Sequence, residues 1–242
     1  LTSGEEGFEG DNGGCKFNCH YCPWEKTPKA PRDMPRSYLS KEPAVARANA
    51  NDFDPFMQII DRFSVTVLNG GYPDKGEIIV EGGTIGSYKK DYLIEFHREL
   101  YRAFNLFYTP EGERRTGKFT LQGEQLTNET AMCRVIGLTL ETRPDCINPE
   151  QIMLFRELGC TRVQIGVQHL DDDILRLVNR GCYTRHTIEA IRMLKDCCFK
   201  VDIHLMPDLP GSTPEKDKAM LQRMLDDHEL QVDDWKIYPC QT

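Results

Sequence analysis

The chain has 242 residues, enough for one large domain or two small ones and for a sizeable core. Its net charge of −8 argues against general affinity for nucleic acid, so an RNA partner would need local basic clusters or a part outside this chain. No apolar run approaches the roughly 18 residues of a membrane span, and no charged-then-apolar leader opens the sequence.

The chain begins at Leu1, not Met, as a fragment or trimmed chain would. Residues 1–14, rich in Gly and Glu, read as a flexible lead. "CKFNCHYC" (15–22) follows, then a segment to residue 52 whose five prolines suggest an extended loop ordered by its contacts. Residues 53–71 read as a helix, with Pro55 in the first turn and Gly70 and Gly71 beyond its end. From there the pattern alternates. Strands are expected at 77–83, 134–141, 161–168, 199–207 and 235–239. Helices are expected at 88–106, 148–159, 170–181, 184–197 and 213–228, the last with Thr213 as N-cap and Pro214 after it. Near-continuous apolar strands alternating with helices predict a parallel sheet or barrel with ligands at the C-terminal strand ends. The cysteine loop would follow an earlier strand, missing or disguised in residues 1–14.

Basic residues gather at "ERRTGK" (113–118) and among the Arg and Lys of 176–200, either as RNA contacts or as solvated faces. Ten cysteines without a disulfide framework point to a reducing, intracellular setting. The seven outside the loop, Cys133 to Cys240, are irregularly spaced, and several read as small buried hydrophobes.

Three thiols, Cys15, Cys19 and Cys22, suit neither paired disulfides nor a closed four-ligand site. They could leave an iron of a 4Fe-4S cluster open, or form a zinc knot completed by His20 or a distant cysteine. The spacing C-x3-C-x2-C, with Tyr21 before the last cysteine on a βα-repeat chain, resembles the radical S-adenosylmethionine (radical SAM) superfamily. The resemblance implies a 4Fe-4S cluster, S-adenosylmethionine bound at its open iron and an open (β/α)6 partial barrel with the cluster loop at the C-terminal mouth. Gly82, Gly83 and Thr84 end the first visible strand, where the superfamily carries a Gly-Gly motif that holds the methionine amino group; alone they could be a turn. Glu141 and Gln168 end the next two strands. Each could bond a ribose or carboxylate, or serve as a cap or loop bond. His204 and Asp208 lie in "HLMPDLPG", and His204 reads as a satisfied core histidine without a catalytic role.

The blocks "PRSYLSKEPAVARANANDFDP" (35–55), "DKGEIIVEGGT" (74–84), "GLTLETRPD" (137–145), "GCTRVQIGVQ" (159–168), "NRG" (179–181) and "HLMPDLPG" (204–211) resemble, in order, the catalytic subunit family of Elongator. That resemblance implies a transferase that carboxymethylates C5 of the tRNA wobble uridine, using acetyl-CoA and S-adenosylmethionine. It implies Cys15, Cys19 and Cys22 as cluster ligands and Lys75 as a contact to acetyl-CoA. It also implies tRNA as partner, other Elongator subunits or a second copy as further partners, and a cytoplasmic or nuclear setting. The whole of 1–242 would be the radical domain: 1–14 the lead, 15–52 the cluster loop and Pro-rich segment, 53–242 the βα repeats. The chain departs from the family in its gap of three between the first two cysteines. It also lacks an acetyltransferase-like domain and a basic tRNA-binding N-terminus. The alternatives are another radical SAM enzyme, of the methylthiotransferase or porphyrinogen oxidase type, and a non-catalytic zinc-bound interaction module.

Overall fold

A computed structural model describes residues 15, 17–25, 28, 29, 34 and 36–240. The lead at 1–14, and with it any sixth strand hidden there, lies outside the described residues. Five strands form one parallel sheet in sequential order: β1 (Lys75–Val80), β2 (Arg134–Thr142), β3 (Arg162–Gln168), β4 (Lys200–Leu205) and β5 (Asp234–Ile237). The sheet curls into a half-barrel, as the alternation of strand and helix predicts.

Local chemistry sets the helix ends. In α2 (Pro55–Leu68), Asp54 accepts from the Met57 amide and Pro55 occupies the first turn. Asn148 accepts from Gln151 N–H at the start of α5 (Pro149–Glu157), and Gly159, with φ +85°, turns the chain toward β3. Thr213 caps α8 (Pro214–Asp226). The remaining long connections are α3 (Lys90–Leu106), the short α6 (Asp172–Leu177) and α7 (Thr184–Asp196).

Two helices depart from the sequence expectation. The Pro-rich segment read as extended contains α1 (Pro43–Ala50). Pro43 suits a first turn, alanines favour the helix that follows, and Val45 and Ala48 bury against Tyr38 and Phe53 in a small core of their own. Leu121–Asn128 forms α4, which the sequence reading passed over; Thr120 caps it by accepting from Gly123 N–H. The first strand ends at Val80, ahead of the glycines, and the helix expected over 170–181 is confined to α6.

The strands are also less uniformly apolar than expected. Ile78, Val80, Leu138, Leu140, Val163, Ile165, Val201 and Ile203 bury on the face covered by helices. Each such side chain contributes about 1.5–3 kcal/mol when fully buried, so this face holds the fold together. The alternate positions form a polar inner face. Across it Glu141 pairs in register with Gln164, Gln164 with Asp202, and His204 with Lys236.

The basic stretch 113–118 folds back on acidic partners. Arg115 pairs with buried Glu124 at 2.5 Å, and Lys118 with Glu95 and Glu99 at 3.1 Å each. Cys133, Cys160 and Cys182 are buried, whereas Cys198 is exposed. No helix of the described residues is long and apolar enough to cross a membrane.

Candidate functional site

At the C-terminal mouth of the strands the cysteine loop is held down by the turn after α6. His20 N–H donates to Val178 O at 3.0 Å, and Asn179 Nδ2 donates to Asn18 O at 2.8 Å. Tyr21 packs beside Ile174, Val178 and Leu209. The loop closes on itself through Cys22 N–H to Cys19 O at 3.2 Å. Cys15, Cys19 and Cys22 thereby line one cavity, which Thr84, Glu141 and Gln168 also border. Cys15 Sγ lies 3.4 Å from Thr84 Oγ1, and Cys22 Sγ lies 2.7 Å from Ser37 Oγ. Burial pushes the Cys22 thiol up, against the Ser37 hydrogen bond.

Two guanidinium groups meet the buried Cys19 sulfur. Arg143 Nη1 donates to Sγ at 3.6 Å and Arg180 Nη1 at 3.8 Å. Arg143 stacks on the Phe17 ring at 3.5 Å and grips Asp145 with two bonds of 2.9 and 3.0 Å. Arg180 donates to Gly166 O. Sequence reasoning gave neither arginine a role at the cysteines, although each sits in a quoted block, "ETRPD" and "NRG"; it grouped Arg180 with the basic residues of 176–200 as an RNA contact or solvated face, whereas the structure buries it.

Glu141 is the hub of the other wall. Tyr38 Oη donates to Glu141 Oε2 at 2.8 Å and accepts from Gly82 N–H at 3.3 Å, so one hydroxyl joins the post-cysteine segment to the ends of β1 and β2. Burial raises the Glu141 carboxyl to about 7, against the lowering pull of Tyr38. His204 Nδ1 stands 3.7 Å from Glu141 Oε1, and its Nε2 lies 3.3 Å from Gln164 Oε1. Burial lowers this imidazole to about 4. His204 therefore faces the polar inner face and not the apolar core, which its place in a strand could not reveal.

Gly83 has φ +77°, a conformation that L side chains rarely adopt, although a Cβ there would meet only Arg36 O at 3.6 Å. The glycine serves the turn. Gln168, also at positive φ, ends β3 at the cavity wall. Asp208 does not line the cavity; its amide donates to Asp217 Oδ2 at 2.9 Å.

Lys75 stands apart from these residues. It begins β1, so the length of the strand, about 3.3 Å per residue, separates it from the Gly-Gly turn. It borders a cleft of about 590 Å³ with Arg134 and Arg156.

Three thiols line the cavity, a donor set that suits a thiolate-held group. Among the described residues, no group of three His, Cys, Asp or Glu side chains is placed to hold one metal ion. Cys15, Cys19 and Cys22 line a common space. Among the described residues, two buried polar atoms on its lining side chains, Thr142 Oγ1 and Arg180 Nε, have no hydrogen-bond partner.

Residues 12–224 match the radical SAM superfamily. A tRNA uridine(34) acetyltransferase of Dehalococcoides mccartyi is 36% identical over 225 residues, which are 93% of this chain and 46% of that protein. Elongator complex protein 3 of Saccharomyces cerevisiae is 31% identical over 221 residues, 91% of this chain and 38% of that protein. Among solved structures, archaeal Elp3 of Methanocaldococcus infernus with an N-terminal deletion superposes with a TM-score of 0.73 at 36% identity, covering 80% of this chain and 43% of that one. The chain thus spans less than half the length of these relatives.

Proposed function

The chain belongs to the radical SAM superfamily, and from that premise we propose that it is the radical domain of an enzyme forming 5-carboxymethyluridine at the tRNA wobble position from acetyl-CoA. The observation that carries this reading is the shared cavity of Cys15, Cys19, Cys22, Thr84, Glu141 and Gln168, on a chain 36% identical to a tRNA uridine(34) acetyltransferase. The superfamily implies a 4Fe-4S cluster and S-adenosylmethionine, and the three thiols with their unpartnered polar neighbours fit such a group.

In this reading Cys15, Cys19 and Cys22 hold the cluster. Gly82, Gly83 and Thr84 let the backbone approach the methionine end of S-adenosylmethionine, and Glu141 and Gln168 accept or donate to its polar groups. When bound, the pair supplies one-electron cleavage of S-adenosylmethionine and so a radical that abstracts hydrogen. The protein's own work is to orient the reacting carbons and keep water and oxygen out. Lys75 would attract the phosphates of acetyl-CoA, a role that its cleft with Arg134 and Arg156 supports. The acetyltransferase-like domain expected of the family lies outside these 242 residues.

Anaerobic reconstitution with iron and sulfide, followed by full-length protein incubated with tRNA, acetyl-CoA and S-adenosylmethionine, tests the proposal. Digested tRNA should contain 5-carboxymethyluridine. Zinc in place of iron, or iron-loaded protein that cleaves S-adenosylmethionine yet leaves the uridine unchanged, would overturn it.

A further inference from the structure

Tyr38 is buried and ties three parts of the molecule together. Its ring packs with Met34, Val45, Ala48 and Phe53 in the small core that α1 helps to form. Its backbone follows Ser37, which has φ +77°, donates its N–H to Pro23 O at 2.9 Å and sets its hydroxyl 2.7 Å from Cys22 Sγ. A serine seldom adopts that left-handed backbone, and these two contacts hold it there. The Tyr38 hydroxyl then reaches two strand ends. It donates to Glu141 Oε2 at 2.8 Å and accepts from Gly82 N–H at 3.3 Å. Burial, helped by the Glu141 carboxylate, pushes this hydroxyl well above its usual range, so it keeps the proton that it donates. On the other side of Gly82, Tyr88 Oη donates to Gly82 O at 3.4 Å. Both peptide groups of Gly82 are thus occupied. Gly83, Thr84 and Glu141 border the cysteine cavity, whereas Gly82 and Tyr38 stand behind them. Of the two Glu141 oxygens, Oε2 is held by Tyr38. Oε1 lies 3.7 Å from His204 Nδ1, beyond hydrogen-bond reach.

We infer that Tyr38 is a positioning residue for S-adenosylmethionine, and that through it the ligand and the segment from Tyr38 to Phe53 stabilise each other. The inference rests on the reading that this cavity takes S-adenosylmethionine. A hydroxyl that donates once and accepts once fixes the Gly-Gly turn against the Glu141 carboxylate. Gly83, Thr84 and the second oxygen of Glu141 are then presented to the ligand as one wall. The phenol touches no ligand itself and acts through that wall. The wall is complete only while the segment is docked, and the segment has a core separate from the one under the sheet. Segments of this kind open locally. The open form, without the Tyr38 hydroxyl in place, binds the ligand less tightly. By linkage the ligand then favours the docked form by the same factor.

The test uses iron-reconstituted full-length wild type, Tyr38→Phe, Glu141→Gln and the double variant. It measures iron content, S-adenosylmethionine affinity by calorimetry, and amide exchange with and without S-adenosylmethionine. Tyr38→Phe keeps the ring and removes only the hydroxyl, so its iron content should match wild type. Its affinity should fall about five- to tenfold. The double variant should lose less affinity than the two single losses together, because both act through one wall. Saturating S-adenosylmethionine should slow amide exchange across α1 about five- to tenfold in wild type and hardly at all in Tyr38→Phe. Wild-type affinity in Tyr38→Phe, strictly additive losses, or wild-type α1 exchange that ignores the ligand overturns the inference. The last measurement needs no variant, so it decides the matter even where Tyr38→Phe fails to fold. Failure of the underlying readings appears elsewhere. Iron-loaded wild type that binds no S-adenosylmethionine overturns the cavity reading, and wild type that binds it normally yet leaves the uridine unmodified overturns the tRNA reading alone.

Discussion

Glu141 and His204 carry opposite pH dependences within one contact. The Glu141 carboxyl, ordinarily at 4.5, is raised by burial to about 7. The folded chain therefore keeps a proton that the unfolded chain releases, and this contribution to stability is full below about 4.5 and lost as pH rises through about 7. His204, lowered by burial from 6.5 to about 4, does the reverse: its contribution is present above about 6.5 and lost as pH falls through about 4. Replacing Glu141 with Gln isolates the first effect. Between about pH 5 and about pH 8, urea unfolding should show wild type losing about 1–3 kcal/mol more stability than Glu141→Gln. Parallel curves for the two proteins would refute the raised carboxyl. Tyr38→Phe removes the hydroxyl that favours the carboxylate, so it should move the wild-type transition to still higher pH. The cysteines and glycines of this site were legible because each set lies within a few neighbouring positions. Tyr38 and Arg180 were not, since they meet their partners across 103 and 161 residues, and nothing local marks a tyrosine or an arginine as aimed at a distant carboxylate or sulfur.

Among the elements, the segment from Tyr38 to Phe53 behaves as a satellite. Its buried residues form a core separate from the one under the sheet, yet it supplies the hydroxyl that joins Gly82 and Glu141. Small cores of this kind open without the rest of the chain. Phe53→Ala removes a side chain whose loss typically costs about 3–5 kcal/mol. Amide exchange across α1 should accelerate about a hundredfold or more, while the amides of β2, β3 and β4 keep wild-type protection. Uniform acceleration over both regions would show one cooperative unit instead. The site should loosen with the satellite, so Phe53→Ala should also weaken S-adenosylmethionine binding. This helix was hidden in the sequence by the prolines around it, which mark α1's start as readily as a loop. The sheet was easier to see, because alternating strands and helices of ordinary length leave few architectures. Its polar inner face was not, because runs such as "GLTLE" show their apolar members and conceal which face the others share.

Across the whole molecule, the two ends of the strands carry different chemistry. At one end stand the cysteines and Glu141. From there a polar series runs through His204 and Gln164 to Asp202, which Arg162 meets at 2.5 Å toward the strand starts. Lys75 lies at that second end, with Arg134 and Arg156 around its cleft. If Lys75 serves acetyl-CoA, it does so without touching the cysteine cavity, and the two functions should separate cleanly by mutation. In full-length protein, Lys75→Ala should raise the acetyl-CoA concentration needed for half-maximal 5-carboxymethyluridine formation about tenfold or more, the scale of one lost charge-assisted contact of about 1.5–3 kcal/mol. Iron content and S-adenosylmethionine affinity should stay at wild-type values. Arg134→Ala, on the neighbouring strand, should act in the same direction, because a polyphosphate is gripped by summed charge and not by one ammonium. Wild-type product formation by Lys75→Ala at limiting acetyl-CoA would remove the lysine from that role. Loss of iron in the same variant would instead show that the two ends of the sheet are coupled through the polar face between them.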